Sequence, residues 1–333
     1  MPLFMIGMQR SGSNLLRLML NQLPSIAAPH PPHILERMGP FESSYGDLSE
    51  DKNFLSLVDD VCCLVETNPV KWESVNLDRK AIAASCFERS LVAVYGRVHD
   101  SLACAWGAED WLCKSMANVH YLDEIERYFG ESAKYIFLYR DGRDVALSFR
   151  KALIGDKTCY HLGKSWHETQ QLALDLRDRV DSQRFFGISY EELVADPEAV
   201  LRRICHFLGT AYSPSMMNFH ESREAGRTAV TGLWSNVSRP VDQSNCAKFL
   251  KELSPQEIEL FEEVAGDSLD ALDYPRYFVE SGSEKELSQA RVAELSAENE
   301  RLKEAAVRNS DPKDLELRQP QAKLMKSIQA RLA

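Results

Sequence analysis

Two arginines, Arg10 and Arg140, each stand in a turn that follows a short apolar run and leads into a helical pattern. The first turn reads Gly7-Met8-Gln9-Arg10-Ser11-Gly12-Ser13-Asn14. A loop placed between a strand and a helix N-terminus turns backbone N–H groups and the positive end of the helix dipole toward an anion. Gly7 and Gly12 permit the tight turn and a close approach of backbone to a phosphate, and Ser11, Ser13 and Asn14 add side-chain donors. A nucleoside-triphosphate loop ends in Gly-Lys-Ser/Thr, with lysine on the terminal phosphates and the hydroxyl on magnesium. Here that lysine is absent and the cation is Arg10, whose planar fork grips an anionic group without a metal. The second turn, Arg140-Asp141-Gly142-Arg143-Asp144, runs on to Ser148, two helical turns beyond Arg140. Arg140 and Ser148 can both face a phosphate there. Taken alone, Asp141, Arg143 and Asp144 also read as a surface ion-pair cluster at a helix start.

The elements that must carry these turns follow from hydrophobic patterning. Leu3–Ile6 is a short apolar run ended by glycine, and leucines recur at helical spacing from Asn14 to Gln22. The unit repeats: a helical Glu124–Phe129, a β-rich Tyr135–Tyr139, then a turn into a helix over Val145–Lys151. A third strand is predicted at Phe185–Ser189. A helix opens near Pro197, with Val200, Leu201, Ile204, Phe207 and Leu208 on one side and Gly209 closing it. This alternation predicts an α/β fold with a parallel central sheet flanked by helices. Residues 41 to about 110 read as a mostly helical insertion, with Trp72, Trp106 and Trp111, over the carboxyl edge of the sheet where acceptor pockets sit.

Beyond about Pro275 the composition shifts. Over 284–306, Val292, Leu295, Asn299, Leu302 and Ala306 fit heptad a and d positions, with Asn299 at an a site that favours a parallel two-stranded coil. Over so short a stretch the same spacing also suits a single solvated amphipathic helix. A homodimer through 284–306 is the expectation of the first reading. Residues 309–333 are polar and expected to be flexible.

Composition narrows the function classes. With 44% hydrophobic and 27% charged residues the chain is globular, and 39 basic against 50 acidic residues leave a net charge of −11. That balance argues against nucleic acid as a partner, and an anionic ligand then needs a local basic site. No apolar stretch approaches the roughly 20 residues of a membrane span, since even Leu15–Leu20 is interrupted by Arg17. No secretory signal is legible. The eight cysteines are scattered without metal-ligand spacing, which predicts reduced thiols, no disulfide, no zinc and a cytoplasmic enzyme.

Taken together, Gly-x-x-Arg-Ser-Gly-Ser-Asn-Leu-Leu at 7–16 resembles the 5′-phosphosulfate loop of sulfotransferases that use 3′-phosphoadenylyl sulfate (PAPS), near the tyrosylprotein and bacterial branches. Arg140 to Ser148 is similar to the family's 3′-phosphate motif, usually Arg-Asp-Pro-Arg-Asp-x-x-x-Ser, with Gly142 in place of proline. The segment from Ser189 to Pro197 resembles Tyr-Glu-Asp-Leu-x-x-Asp-Pro, and Phe207-Leu208-Gly209 its ending. Arg239-Pro240-Val241 and Lys248-Phe249 resemble the loop that closes on the donor. The similarity runs from about residue 3 to about residue 275, within a sulfotransferase domain placed at 1–278 and followed by a helical tail, 279–333.

The resemblance implies a P-loop NTPase-like sulfotransferase fold and metal-independent, in-line transfer of a sulfuryl group from PAPS to a hydroxyl or amine, leaving adenosine 3′,5′-bisphosphate (PAP). It implies Arg10, Ser11, Gly12, Ser13 and Asn14 at the 5′ end, Arg140 and Ser148 at the 3′-phosphate, Tyr190 at the adenosine and Lys248 at a phosphate. Tyr190 reads equally as a core aromatic, and Lys248 as a solvated lysine. Relatives place a histidine or glutamate base shortly after the first helix. The tyrosylprotein branch has its glutamate at about Pro31, so His33 is favoured here, then His30, then Glu36, with His120 further off. Lys114 resembles a lysine beside the transferred group. The acceptor is expected to be a small molecule, glycan or lipid. Two rivals remain on the residues: an atypical P-loop kinase, for which no Walker B aspartate follows an apolar run, and a non-catalytic assembly protein using the C-terminal coil.

Overall fold

The computed structural model describes residues 1–153, 155–230, 236–309 and 311–332. The N-terminal apolar run forms β1 (Pro2–Ile6), followed by α1 (Ser13–Leu20), the two-residue β2 (Ile26–Ala27) and α2 (Ile34–Met38). Helices α3 (Asp51–Glu66), α4 (Arg79–Ser85) and α5 (Leu91–Trp106) then lead to β3 (Asp110–Cys113). Next come α6 (Leu122–Phe129), β4 (Lys134–Tyr139), α7 (Gly142–Arg150), α8 (Cys159–Arg179) and β5 (Phe185–Ser189). The chain continues through α9 (Tyr190–Ala195), α10 (Pro197–Leu208), α11 (Arg223–Ala229) and α12 (Phe249–Glu252). It ends with α13 (Pro255–Ala271), α14 (Gln289–Arg308) and α15 (Pro312–Leu332).

One five-stranded sheet, ordered β2-β3-β1-β4-β5 and parallel throughout, lies between helices. Alternation along the strands divides the core in two. Phe4, Ile6, Tyr135 and Phe137 face α3 and α5, whereas Leu3, Met5, Ile136 and Leu138 face α1 and α10. Burying each such side chain contributes about 1.5–3 kcal/mol. The expected strands stand where the apolar runs are, and β2 and β3 join them on the far side of β1.

Strand order reverses at β1, which pairs with β3 on one side and with β4 on the other. Loops leaving the carboxyl ends of β1 and β4 are therefore neighbours across a crevice, the place where ligands bind in such sheets. At Gly7, with φ 125°, a Cβ would stand 2.5 Å from the Leu138 carbonyl oxygen, so only glycine lets the first loop leave the sheet this close to β4.

The tail departs from expectation. Asn299, read as an a-site residue of a coil, is buried within the chain. Its Oδ1 accepts from the backbone N–H groups of Lys157 at 2.7 Å and Thr158 at 3.3 Å, and its Nδ2 donates to Asp156 at 2.8 Å. With Leu295 it docks α14 on the start of α8, so two of the residues read as a homodimer seam are engaged internally, while Leu302 stays exposed. Nor is the end of the tail a flexible polar segment. Helix α15 buries Ile328, lays Leu324 and Met325 against the main core cluster and pairs Arg331 with Asp60 of α3. Its apolar residues are too few to show as a stripe in sequence, yet they cover a face of the helical insertion.

Candidate active site

The loops after β1 and β4 open into one cavity of about 750 Å³, lined by Arg10, Gly12, Ser13, Asn14, Arg140 and Ser148 among others. Arg10 is held in the left-handed region, φ 72°, a backbone strain of about 1–3 kcal/mol that points to function. Its Nε donates to Ser148 Oγ at 3.0 Å, so Ser148, expected to share a phosphate with Arg140, is partnered by the other arginine. Arg140 Nη1 donates to the Arg10 carbonyl at 3.3 Å, and its Nη2 to the Asn245 carbonyl at 2.7 Å. The two cationic clamps thus face the same space.

Tyr190 joins them. The Arg140 guanidinium lies 4.4 Å from the centre of its ring, and its hydroxyl accepts from Asn245 Nδ2 at 2.9 Å. A Cβ at Gly12 would stand 2.4 Å from the Tyr190 ring, so glycine is what lets the loop slide under the aromatic face. Ser11 is fully buried, and its Oγ has no hydrogen-bond partner among the described residues. The buried Arg140 Nε likewise lacks a partner. Burial and the neighbouring Arg140 charge push the Arg10 pKa down, as expected for cations gathered to meet an anion.

Arg143 has a different role from Arg140. It is fully buried, bonded to Asp141 at 2.8 Å and Glu262 at 2.6 Å, and its guanidinium lies 4.3 Å from the centre of the Phe249 ring. Glu262 also accepts from the backbone of Tyr277, Phe278 and Val279. The surface ion-pair reading of these charges is thereby corrected: they form an internal fastener between the β4 turn and α13. Gly142 fits the same packing, since a Cβ there would meet Phe261 at 2.4 Å and Trp166 at 2.6 Å.

At the other end of the cavity stand His30, His33, Glu36, Lys114 and His120. His33 caps α2 at φ 60°, another non-glycine residue in the left-handed region. Its Nδ1 lies 3.0 Å from Glu36 Oε2 and 3.0 Å from Ser115 Oγ. A carboxylate only accepts, so Nδ1 carries the proton and Nε2 is the basic nitrogen. Burial pushes the His33 pKa down, with Glu36 opposing, which keeps the ring neutral near pH 7. His30 is buried, its pKa well below the usual range through burial and the charges of Lys114 and Arg17. Its carbonyl accepts from Trp72 Nε1 at 2.8 Å and Asn68 Nδ2 at 3.2 Å, which pins the proline-rich loop to the insertion. Burial and the Arg17 charge lower Lys114 to about 7.

A model of the sulfotransferase family matches residues 2–214, which carry both cationic turns, the histidine loop and Lys114. The chain belongs to the sulfotransferase family. It is 26% identical over 249 residues to protein-tyrosine sulfotransferase A of Caenorhabditis elegans, covering 72% of this chain and 57% of that protein. It is 28% identical over 228 residues to the Drosophila melanogaster protein-tyrosine sulfotransferase, covering 66% and 40%. The chain thus spans about half the length of these curated relatives. Among solved structures, the sulfotransferase domain from the curacin biosynthetic pathway superposes with a TM-score of 0.58 at 21% identity, covering 83% of this chain and 98% of that one, a likeness of fold.

Within this sulfotransferase, Lys248 and Ser11 are the expected site residues that do not line the cavity. Lys248 precedes α12, whose Phe249 N–H donates to Asp144 Oδ1 at 2.9 Å, and the Asn245 carbonyl meets Arg140. Sequence reasoning missed Asn245, Asn68, Arg37, Arg318 and Gln321, all of which line the cavity. Arg37 stood one residue past the histidine loop and could have been found; Arg318 and Gln321 lie in a segment with no pattern. Among the described residues no helix is long and apolar enough to cross a membrane, and no cluster of three or more His, Cys, Asp or Glu could hold a metal.

Proposed function

We propose that this sulfotransferase moves the sulfuryl group of PAPS onto a hydroxyl or amine acceptor. The observation that carries this reading is the single cavity in which Arg140 reaches the Arg10 carbonyl, setting two cationic clamps within one nucleotide's length. The residues present fit such a donor: a buried Arg140 Nε and a buried Ser11 hydroxyl without partners, an aromatic face at Tyr190 and a cradle that a side chain at Gly12 would fill. PAPS supplies the sulfuryl group and its adenosine bisphosphate leaving group. Arg10, Ser13 and Asn14 would hold the 5′ end, and Arg140 with Tyr190 the 3′-phosphate and adenosine end.

His33 Nε2 takes the proton of the acceptor as its oxygen or nitrogen bonds to sulfur. The bond from sulfur to the bridging oxygen breaks, and that oxygen keeps the electron pair. Arg10 and Lys114 meet the charge that grows there, a preorganised stabilisation worth several kcal/mol. Glu36 holds His33 in the required tautomer and stabilises the imidazolium that forms. The curated relatives are named for protein tyrosine, so a phenolic hydroxyl heads the acceptor classes to be tried.

The test is transfer of radioactive sulfur from labelled PAPS to a panel of phenols, alcohols, sugars and amines, with magnesium chelated. Labelled product under those conditions is expected. Label transfer from γ-labelled ATP with magnesium, and none from PAPS, would give the kinase reading instead.

A further inference from the structure

Arg17 is fully buried on α1, one turn beyond Asn14, and belongs to neither cationic clamp. Its Nε donates to Asn14 Oδ1 at 3.2 Å. Its Nη1 donates to the Ala28 carbonyl at 2.9 Å and to Glu224 Oε1 at 3.0 Å, and its Nη2 donates to Thr228 Oγ1 at 2.8 Å. One guanidinium thereby joins the loop after β1, the start of the histidine loop and α11. Ala28 is gripped from its other side as well, where its N–H donates to Asn21 Oδ1 at 2.9 Å.

Replacing a buried ion pair by apolar side chains of similar volume is often neutral or stabilising, because the two charges have lost their water. Stability alone therefore does not explain Arg17 and Glu224. What the guanidinium fixes is direction. It can only donate, so the Asn14 atom that meets its Nε is the oxygen, and the amide nitrogen with its two N–H groups is turned the other way. Asn14 lines the cavity, and its Nδ2 has no hydrogen-bond partner among the described residues. The Arg17 charge also reaches the cavity from behind, where it lowers the pKa of Lys114 and of His30.

We infer that Arg17 is a positioning residue of the transfer centre: without touching the donor, it aims the Asn14 amide N–H groups at the donor's 5′ end. This inference rests on the sulfuryl-transfer reading, which places that end of PAPS against the loop after β1.

The full chain is titrated calorimetrically with PAPS as wild type, as Asn14→Ala, with the paired change Arg17→Gln and Glu224→Gln, and with all three changes together. Changing both charges at once leaves neither stranded in the interior, and urea unfolding reports whether each variant folds. Arg17→Lys, which keeps a charge beside Glu224 but lacks the fork that also reaches Asn14, is the second variant and should give the same pattern. The paired change alone should weaken PAPS binding about ten-fold, the loss of one aimed amide. Added to Asn14→Ala, it should weaken binding by less than about two-fold, because residues that act as one unit do not add. Equal losses in the two backgrounds, as a merely structural role gives, or no loss in either, overturn the inference. So does PAPS binding that Asn14→Ala leaves intact. Failure of the wild-type chain to bind PAPS would strike the donor reading itself, so the two failures are told apart.

Discussion

At the donor end of the cavity, Arg10, Ser148, Arg140 and Tyr190 follow the carboxyl ends of three adjacent strands, β1, β4 and β5, whereas at the acceptor end His33, Asn68, His120 and Arg318 come from four segments far apart in sequence. The first set is positioned by backbone that any parallel sheet produces at its switch point. The second set depends on how an insertion and a terminal helix happen to pack. Chemistry common to a family sits on the first kind of scaffold, and choice of acceptor on the second.

Removing the base separates the two ends most sharply. His33→Ala should lower kcat by ~10²- to 10⁴-fold while PAP affinity holds; equal loss from His30→Ala alone would move the base to its neighbour. Next in size is the contrast between two arginines of one turn. Arg143→Ala strands Glu262 and Asp141 in the interior and should cost about 3–5 kcal/mol in urea unfolding. Arg140→Ala breaks a looser pair, 3.4 Å to Asp144, and should cost less in unfolding than Arg143→Ala, its larger loss falling on ligand binding.

Asn299→Ala leaves the Lys157 and Thr158 N–H groups without their acceptor and should cost about 1–3 kcal/mol. Its mass in solution should not change, since the residue works within the chain. A shift from dimer to monomer would restore the coiled-coil reading.

The mildest effect is a pH limb. Lys114 is a cation only below its pKa of about 7, so kcat/KM for PAPS should fall by about ten-fold per pH unit as pH rises through that value. On the acid side, activity should be lost only below the ordinary histidine range, because burial holds the His33 pKa down. Lys114→Arg should abolish the alkaline limb, its guanidinium staying charged. A limb unmoved by that change would assign it to another group.

Sequence legibility follows the same division. β1 and β4 show as apolar runs because strands buried on both faces must be apolar throughout, and β5, half-buried at the sheet edge, shows through its aromatic and β-branched residues. β2 and β3, two and four residues long, carry too few positions to show a period. Arg10, Arg140 and Tyr190 were legible because turn chemistry writes glycines and cations at fixed offsets. Asn245 was not legible, because the bond its carbonyl accepts from Arg140 joins residues 105 apart. Asn299 misled for a related reason: a polar residue in a heptad signals a buried partner without saying whether the partner is another chain or a loop of its own. Arg318 had no signal at all, being one charge in a charged helix.

Calorimetry with PAP, without magnesium, on the wild-type chain and on Arg140→Ala tests most directly whether both clamps hold one nucleotide. Tight binding by the wild type, weakened about 30-fold or more in the variant, is the expected result for loss of one buried, charge-assisted clamp. Identical affinities for the two proteins, or binding only of ATP with magnesium, would contradict it.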